Sequence, residues 1–79
     1  MKVKVLAFGI AKDIFGGSSV IIETSGNKIL DLKTSLETQY PRLKQLRSYM
    51  LAVNNEYALD DGVLTETDEI ALIPPVSGG

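Results

Sequence analysis

Hydrophobic and polar residues alternate from the second residue onward. In Lys2 to Phe8, Val3, Val5 and Ala7 fall on one side and Lys2, Lys4, Leu6 and Phe8 on the other, the two-residue period of a strand. Gly9 to Gly17 reads as a connector with room for a short helical turn. Ser18 to Thr24, rich in Val20, Ile21 and Ile22, predicts a second strand. Ser25, Gly26 and Asn27 are turn residues. The period then becomes helical. Ile29, Leu32, Leu36 and Tyr40 recur on one face, which predicts an amphipathic helix over Ile29 to Tyr40. Pro41 closes it, because a proline pushes the preceding residue out of helical geometry.

Leu43 to Ser48 reads as a polar linker or a further helical turn, and Tyr49 to Val53 as a third strand. Asn54 and Asn55 tolerate left-handed backbone angles and suit a tight turn into a short edge strand, Glu56 to Leu59. Asp60, Asp61 and Gly62 mark another turn, and Thr65 to Asp68 a polar loop. Glu69 to Ile73 is the last strand, with Ile70 and Leu72 on one face and Ala71 and Ile73 on the other. Pro74 and Pro75 cannot donate to a ladder, so the sheet stops there. The element order β-β-α-β-β-β predicts an α+β domain over residues 1–75, a mixed sheet of four to five strands wrapped on one main helix. Residues 76–79 form a flexible tail. Val3, Val5, Ile29, Leu32, Leu36, Ile70 and Leu72 are the expected core.

Composition narrows the chemistry. A chain of 79 residues is one small domain that buries about three fifths of its surface, leaving little room for a deep pocket. It has no cysteine and no histidine. That excludes a disulfide framework, a thiol nucleophile, a Ser-His-Asp triad, an imidazole base and an ordinary zinc site. The net charge is -2, and the basic residues Lys33, Arg42, Lys44 and Arg47 are too few to make a phosphate-binding face, so a nucleic-acid partner is not expected. No apolar run approaches a membrane span, and the start alternates lysine with apolar residues, unlike a signal peptide. The cytoplasm is the expected compartment, with no membrane partner.

Gly9, Gly16 and Gly17 lack the Gly-Lys-Ser/Thr pattern of a phosphate loop and read as flexible connector. Asp60, Asp61, Glu66, Asp68 and Glu69 do not have calcium-loop spacing and read as a solvated edge. Tyr40, Tyr49 and Tyr57 are too scattered to stack bases, and suit packing in the core or at its rim.

The most informative segment is Pro74-Pro75-Val76-Ser77-Gly78-Gly79. The prolines stiffen the exit from the sheet, and the four residues after them reach at most about 13–14 Å. Two glycines make a thin tip that can thread where any Cβ would block. Such a tip presents the α-carboxylate of Gly79.

With that tail, the chain resembles the ubiquitin-like sulfur carriers that form the small subunits of molybdopterin synthase. The matching residues are Lys4-Val5-Leu6-Ala7-Phe8, Ala52-Val53-Asn54-Asn55-Glu56, and the run Asp68-Glu69-Ile70-Ala71-Leu72-Ile73 leading into the tail. One departure is Thr67, where those proteins usually have glycine, which predicts a tighter or differently turned loop. The resemblance implies a β-grasp fold. It implies that an ATP-dependent, E1-like activating enzyme adenylates the Gly79 carboxylate and that a sulfur donor converts it to a thiocarboxylate. The tail then delivers sulfur to cyclic pyranopterin monophosphate in the large synthase subunit, building the molybdopterin dithiolene. The implied assembly has two small and two large subunits. The carrier itself binds no cofactor, since ATP is used by the activating partner, and it needs no catalytic side chain of its own.

In a β-grasp sheet the first and last strands are neighbours, so Phe8 and Ile73 are expected to form an apolar patch at the root of the tail. Partner contacts are expected at Phe8, Ile73, Pro74, Pro75, Val76 and Ser77, with Gly78 needed for threading and Gly79 as the reactive terminus. The alternative for the patch is that the connector Gly9 to Gly17 folds over Phe8. The alternatives for function are sulfur delivery to thiamine thiazole or to transfer RNA, a ubiquitin-like protein modifier, and a plain interaction domain with a silent tail.

Overall fold

A computed structural model describes residues 1–46 and 48–74. In its sheet β1 (Lys2–Ala7) is flanked on one side by antiparallel β2 (Ser19–Glu23). On its other side lies β5 (Ile70–Ile73), parallel to it, with Val5 opposite Ile70 and Ala7 opposite Leu72. Antiparallel β3 (Met50–Val53) and the short β4 (Glu56–Tyr57) complete a mixed sheet in the order β2-β1-β5-β3-β4. The helix α2 (Ile29–Gln39) packs on one face. This is the β-grasp arrangement.

The core forms where the two periods meet. The sheet contributes Val3, Val5, Ile22, Leu51, Ile70 and Leu72, and α2 contributes Ile29, Leu32 and Leu36. All seven residues expected in the core are at most 1% exposed. Asn54 and Asn55 have φ of 52° and 70°, so the β3–β4 turn is left-handed as their residue type predicts.

Two segments resolve what the sequence left open, and a third departs from it. The connector holds a helix, α1 (Ile10–Phe15), which buries Ala11 and Phe15 in the main core. It closes on Gly16 at φ 76°, where the N–H groups of Gly16 and Gly17 both donate to the Lys12 carbonyl. The helical turn for which the connector has room is thus formed, but six residues are too few to display a period that would show its bounds or its buried face. Of the two readings for the segment after Pro41, polar linker or further helical turn, the second holds: a 3-10 turn covers Pro41–Gln45, and its Leu43 is fully buried.

The edge strand ends at Tyr57, two residues before the expected Leu59. The chain leaves the sheet there to cap α2. Lys28 precedes that helix and has no side-chain oxygen to accept from its first N–H groups. Instead the Gly62 carbonyl accepts from Ile29 at 2.9 Å and the Asp60 carbonyl from Leu30 at 3.0 Å. A bridge between Lys28 and Val63 follows, and Leu64 is buried beside it.

Candidate docking face and tail root

One sheet face is covered by α2; the other is left open, and strand register decides what it displays. Leu6 pairs with Ala71, Ala71 with Ala52, and Ala52 with Tyr57, in a row across four strands. One row nearer the tail, Ile73 pairs with Met50, and Phe8 follows Ala7 at the end of β1. The two alanines form a low floor between taller walls. A surface hollow of about 280 Å³ results, lined by Phe8, Ala52, Asn55, Tyr57, Glu69, Ala71 and Ile73.

Phe8 and Ile73 are therefore brought together as expected, and Phe8 is 48% exposed. The alternative, that the connector covers Phe8, does not hold. Helix α1 turns its apolar side to the main core, tied back by the Ala11 N–H donating to the Phe8 carbonyl. Tyr57, 65% exposed, stands on the rim of this hollow rather than in the core. Sequence reading missed Ala52, Asn55, Tyr57 and Glu69 as members of the site. Extending the alternation of Met50 to Val53 across the tight Asn54-Asn55 turn would have found Ala52 and Tyr57.

At the tail root, Gly9 serves a more specific need than loop flexibility. Its φ is +55°, and a Cβ there would lie 3.3 Å from Cγ of Pro74. A larger residue would be strained and would press on the segment where β5 leaves the sheet. Pro74 is half-buried at that point. The other expected tail residues, Pro75, Val76, Ser77, Gly78 and Gly79, lie outside the described residues.

The start of β5 is fixed from the other end. The Asp68 carboxylate accepts the Thr65 N–H at 2.8 Å and the Asn54 side-chain amide at 3.0 Å. Asn54 in turn accepts the Glu69 N–H through its side-chain oxygen at 3.0 Å and donates its own N–H to the Glu69 carbonyl at 2.8 Å. These bonds, the Thr65 N–H first and the Asn54 amide next, hold Asp68 below its usual carboxylate range. The loop needs no left-handed residue at Thr67. Among the described non-glycine residues, only Asn54 and Asn55 have positive φ.

The remaining polar features are structural. Tyr49 donates its hydroxyl to Glu37, tying the approach to β3 onto α2; burial first, then that bond, pushes its phenol well above the ordinary range. Lys33 pairs with Asp60 at 2.7 Å. Among the described residues no group of acidic side chains is placed to hold a metal ion, and no helix is long and apolar enough to cross a membrane. The open face thus offers apolar surface and shape beside the exit of the chain, which suits docking rather than catalysis.

Comparison with known proteins gives the same direction. The model of the ThiS family matches residues 5–79. A molybdopterin synthase sulfur carrier subunit of Arabidopsis thaliana is 35% identical over 81 residues, covering 100% of this chain and 84% of that protein. A chain of the complex of subunits 1 and 2 of molybdopterin-converting factor from Helicobacter pylori superposes with a TM-score of 0.70 at 28% identity, covering 100% of both chains. The small archaeal modifier protein 1 of Methanosarcina acetivorans superposes with a TM-score of 0.81 at 28% identity, covering 99% of this chain and 96% of that one.

Proposed function

The chain belongs to the ThiS family, and from that premise we propose that it is the sulfur carrier subunit of a molybdopterin synthase, with the Gly79 carboxylate as the group that carries sulfur. The observation that carries this reading is the position of the Phe8 and Ile73 hollow directly beside Pro74. A partner seated on that hollow would receive the root of the tail, and the four residues after the prolines span at most about 13–14 Å toward an active site on the partner.

The chemistry explains why this chain can lack histidine and cysteine. A carboxylate resists nucleophiles because it is anionic and oxide leaves poorly. Reaction with ATP gives the acyl-adenylate and releases pyrophosphate. A sulfide equivalent from the donor then displaces AMP, leaving the thiocarboxylate. Its sulfur attacks an oxygen-bearing carbon of cyclic pyranopterin monophosphate, and the C–O bond at that carbon breaks, its oxygen leaving as phosphate ester or water. Water then cleaves the acyl–sulfur bond, leaving sulfur on the substrate and restoring the carboxylate. Two such cycles supply the two sulfurs of the dithiolene. Covalent attachment to a docked domain turns a bimolecular delivery of sulfide into a positioned one. General acids and bases belong to the partners, an E1-like adenylating enzyme and a large synthase subunit, in an assembly of two small and two large subunits.

A second reading, a protein modifier whose Gly79 forms an amide with lysine, is favoured by the likeness to the archaeal modifier protein. It shares the adenylation step and differs in the nucleophile.

Reconstituted dithiolene synthesis tests the proposal. One residue appended after Gly79 moves the carboxylate beyond the adenylation site and should abolish product. A bulky residue in place of Gly78 should also block product by preventing threading, with the thermal melt almost unchanged. Full synthesis from an uncleaved extension would contradict the assignment of Gly79.

A further inference from the structure

The hollow at the tail root does not end at Glu69. That residue also walls a second hollow of about 290 Å³, lined by Lys4, Leu6, Glu66, Thr67 and Asp68. The two hollows adjoin at Glu69, one toward the tail root and the other toward the loop before the strand, and make up a trough in two parts along the open side of β5. Its ends differ in chemistry. Near the tail it is walled by Phe8 and Ile73. At the far end three carboxylates, Glu66, Asp68 and Glu69, face one ammonium, Lys4.

These charges do not neutralise one another. Among the described residues the one ion pair within 4.0 Å joins Lys33 to Asp60, on another part of the surface. Nor can Asp68 swing away, because its two oxygens are held by Thr65 and Asn54. Asp68 is thus held in place at this end, and the local excess of negative charge complements a cation carried by a docking partner.

We propose that the partner docking on this trough presents an apolar contact to Phe8 and Ile73 and a basic side chain, arginine or lysine, to Glu66 and Glu69. This rests on the sulfur-carrier reading, in which that partner is the large synthase subunit. The rise along β5 separates the two contacts by roughly 13 Å. The charged end then acts as a register key. Docking in the reverse sense would press apolar surface onto carboxylates and leave them desolvated and unpaired. Only the correct sense directs the tail root toward the partner's active site. Charge at the rim of an apolar interface acts mainly on the association rate and its salt dependence, whereas the apolar anchor acts mainly on dissociation.

Stopped-flow binding of the full-length carrier to the purified large subunit, at low and moderate salt, tests this. The double variant Glu66→Lys, Glu69→Lys should associate about tenfold more slowly at low salt, with a flattened salt dependence. The pair Glu56→Lys, Asp61→Lys changes net charge equally, lies outside the trough, and should slow association less than about threefold. The neutral pair Glu66→Gln, Glu69→Gln should fall between, and thermal melts confirm that each variant is folded. Equal effects of the trough and control pairs would overturn the proposal, since net charge alone would then account for the steering. Failure of the wild-type chain to bind the large subunit would overturn the choice of partner, and with it the sulfur-carrier reading.

Discussion

Phe8 leaves about half of its surface in water beside the point where the chain departs from the sheet. An exposed aromatic next to Ile73 is unsupported by the core and suited to anchor a partner. Phe8→Ala should therefore weaken binding to the large subunit by about 2 kcal/mol or more while the melting temperature of the free chain barely moves. Calorimetric titration beside a thermal melt checks this, and a lost fold would place Phe8 in the structure rather than in the interface. Asp68 makes a different prediction. Its carboxyl is held below the ordinary range by the Thr65 N–H and the Asn54 amide, so the charged form is the one the fold favours. Its stabilising effect is fully present above the ordinary carboxylate pKa of about 4 and fades as pH falls through the lower, folded value. The melting-temperature gap between wild type and Asp68→Ala should be constant from about pH 5 to 7 and shrink below about pH 4. A gap that does not change with pH would show that the carboxylate's charge plays no part.

Elements were legible in the sequence wherever a period had room to repeat. The α2 register was readable from Ile29, Leu32, Leu36 and Tyr40, and Leu32 is fully buried where that register puts it. Leu32→Ala should cost on the order of 2–5 kcal/mol in denaturant unfolding, much of the stability of so small a domain; a near-neutral result would contradict the packing of α2. Turn chemistry was equally readable at Asn54 and Asn55, both left-handed. Asn55→Gly should leave stability unchanged or slightly higher, whereas Asn55→Val should cost about 1–2 kcal/mol. Equal melting temperatures for the two variants would contradict a left-handed residue there. Short devices were legible only as room for a helical turn, and remote ones not at all. Helix α1 has too few residues to show a period. The caps of α2 come from the carbonyls of Asp60 and Gly62, some thirty residues downstream, and backbone carbonyls leave no mark in a sequence. Leu43 stands alone among polar neighbours, yet the 3-10 turn rotates it into the core.

At the scale of the molecule, the proposed function divides stability and docking between the two faces of one sheet. Residues that hold the fold point toward α2, while those facing away surround a trough that leads to the chain exit. Strand alternation made half of this division readable, since Phe8, Ile73, Leu6 and Ala71 were placed on the open face by period alone. Alternation along the last strand also places Glu69 there, and alternation carried across the Asn54-Asn55 turn places Ala52 and Tyr57. That these residues stand beside Phe8 depends on which strands are neighbours, a property of topology that no local pattern carries. The proposed function puts recognition on the sheet and chemistry on the tail, so its central claim rests on one atom of Gly79. Intact-mass measurement of the carrier after incubation with the activating enzyme, ATP and a sulfur donor tests it most directly, with fragmentation to locate the change. Sulfur in place of one carboxylate oxygen adds about 16 Da, and the account predicts that gain on the C-terminal fragment. An equal gain on a fragment containing Met1 or Met50 would mark methionine oxidation instead. An unmodified Gly79 under conditions that activate a known carrier, or recovery of Gly79 as an amide on a lysine of another protein, would contradict the account.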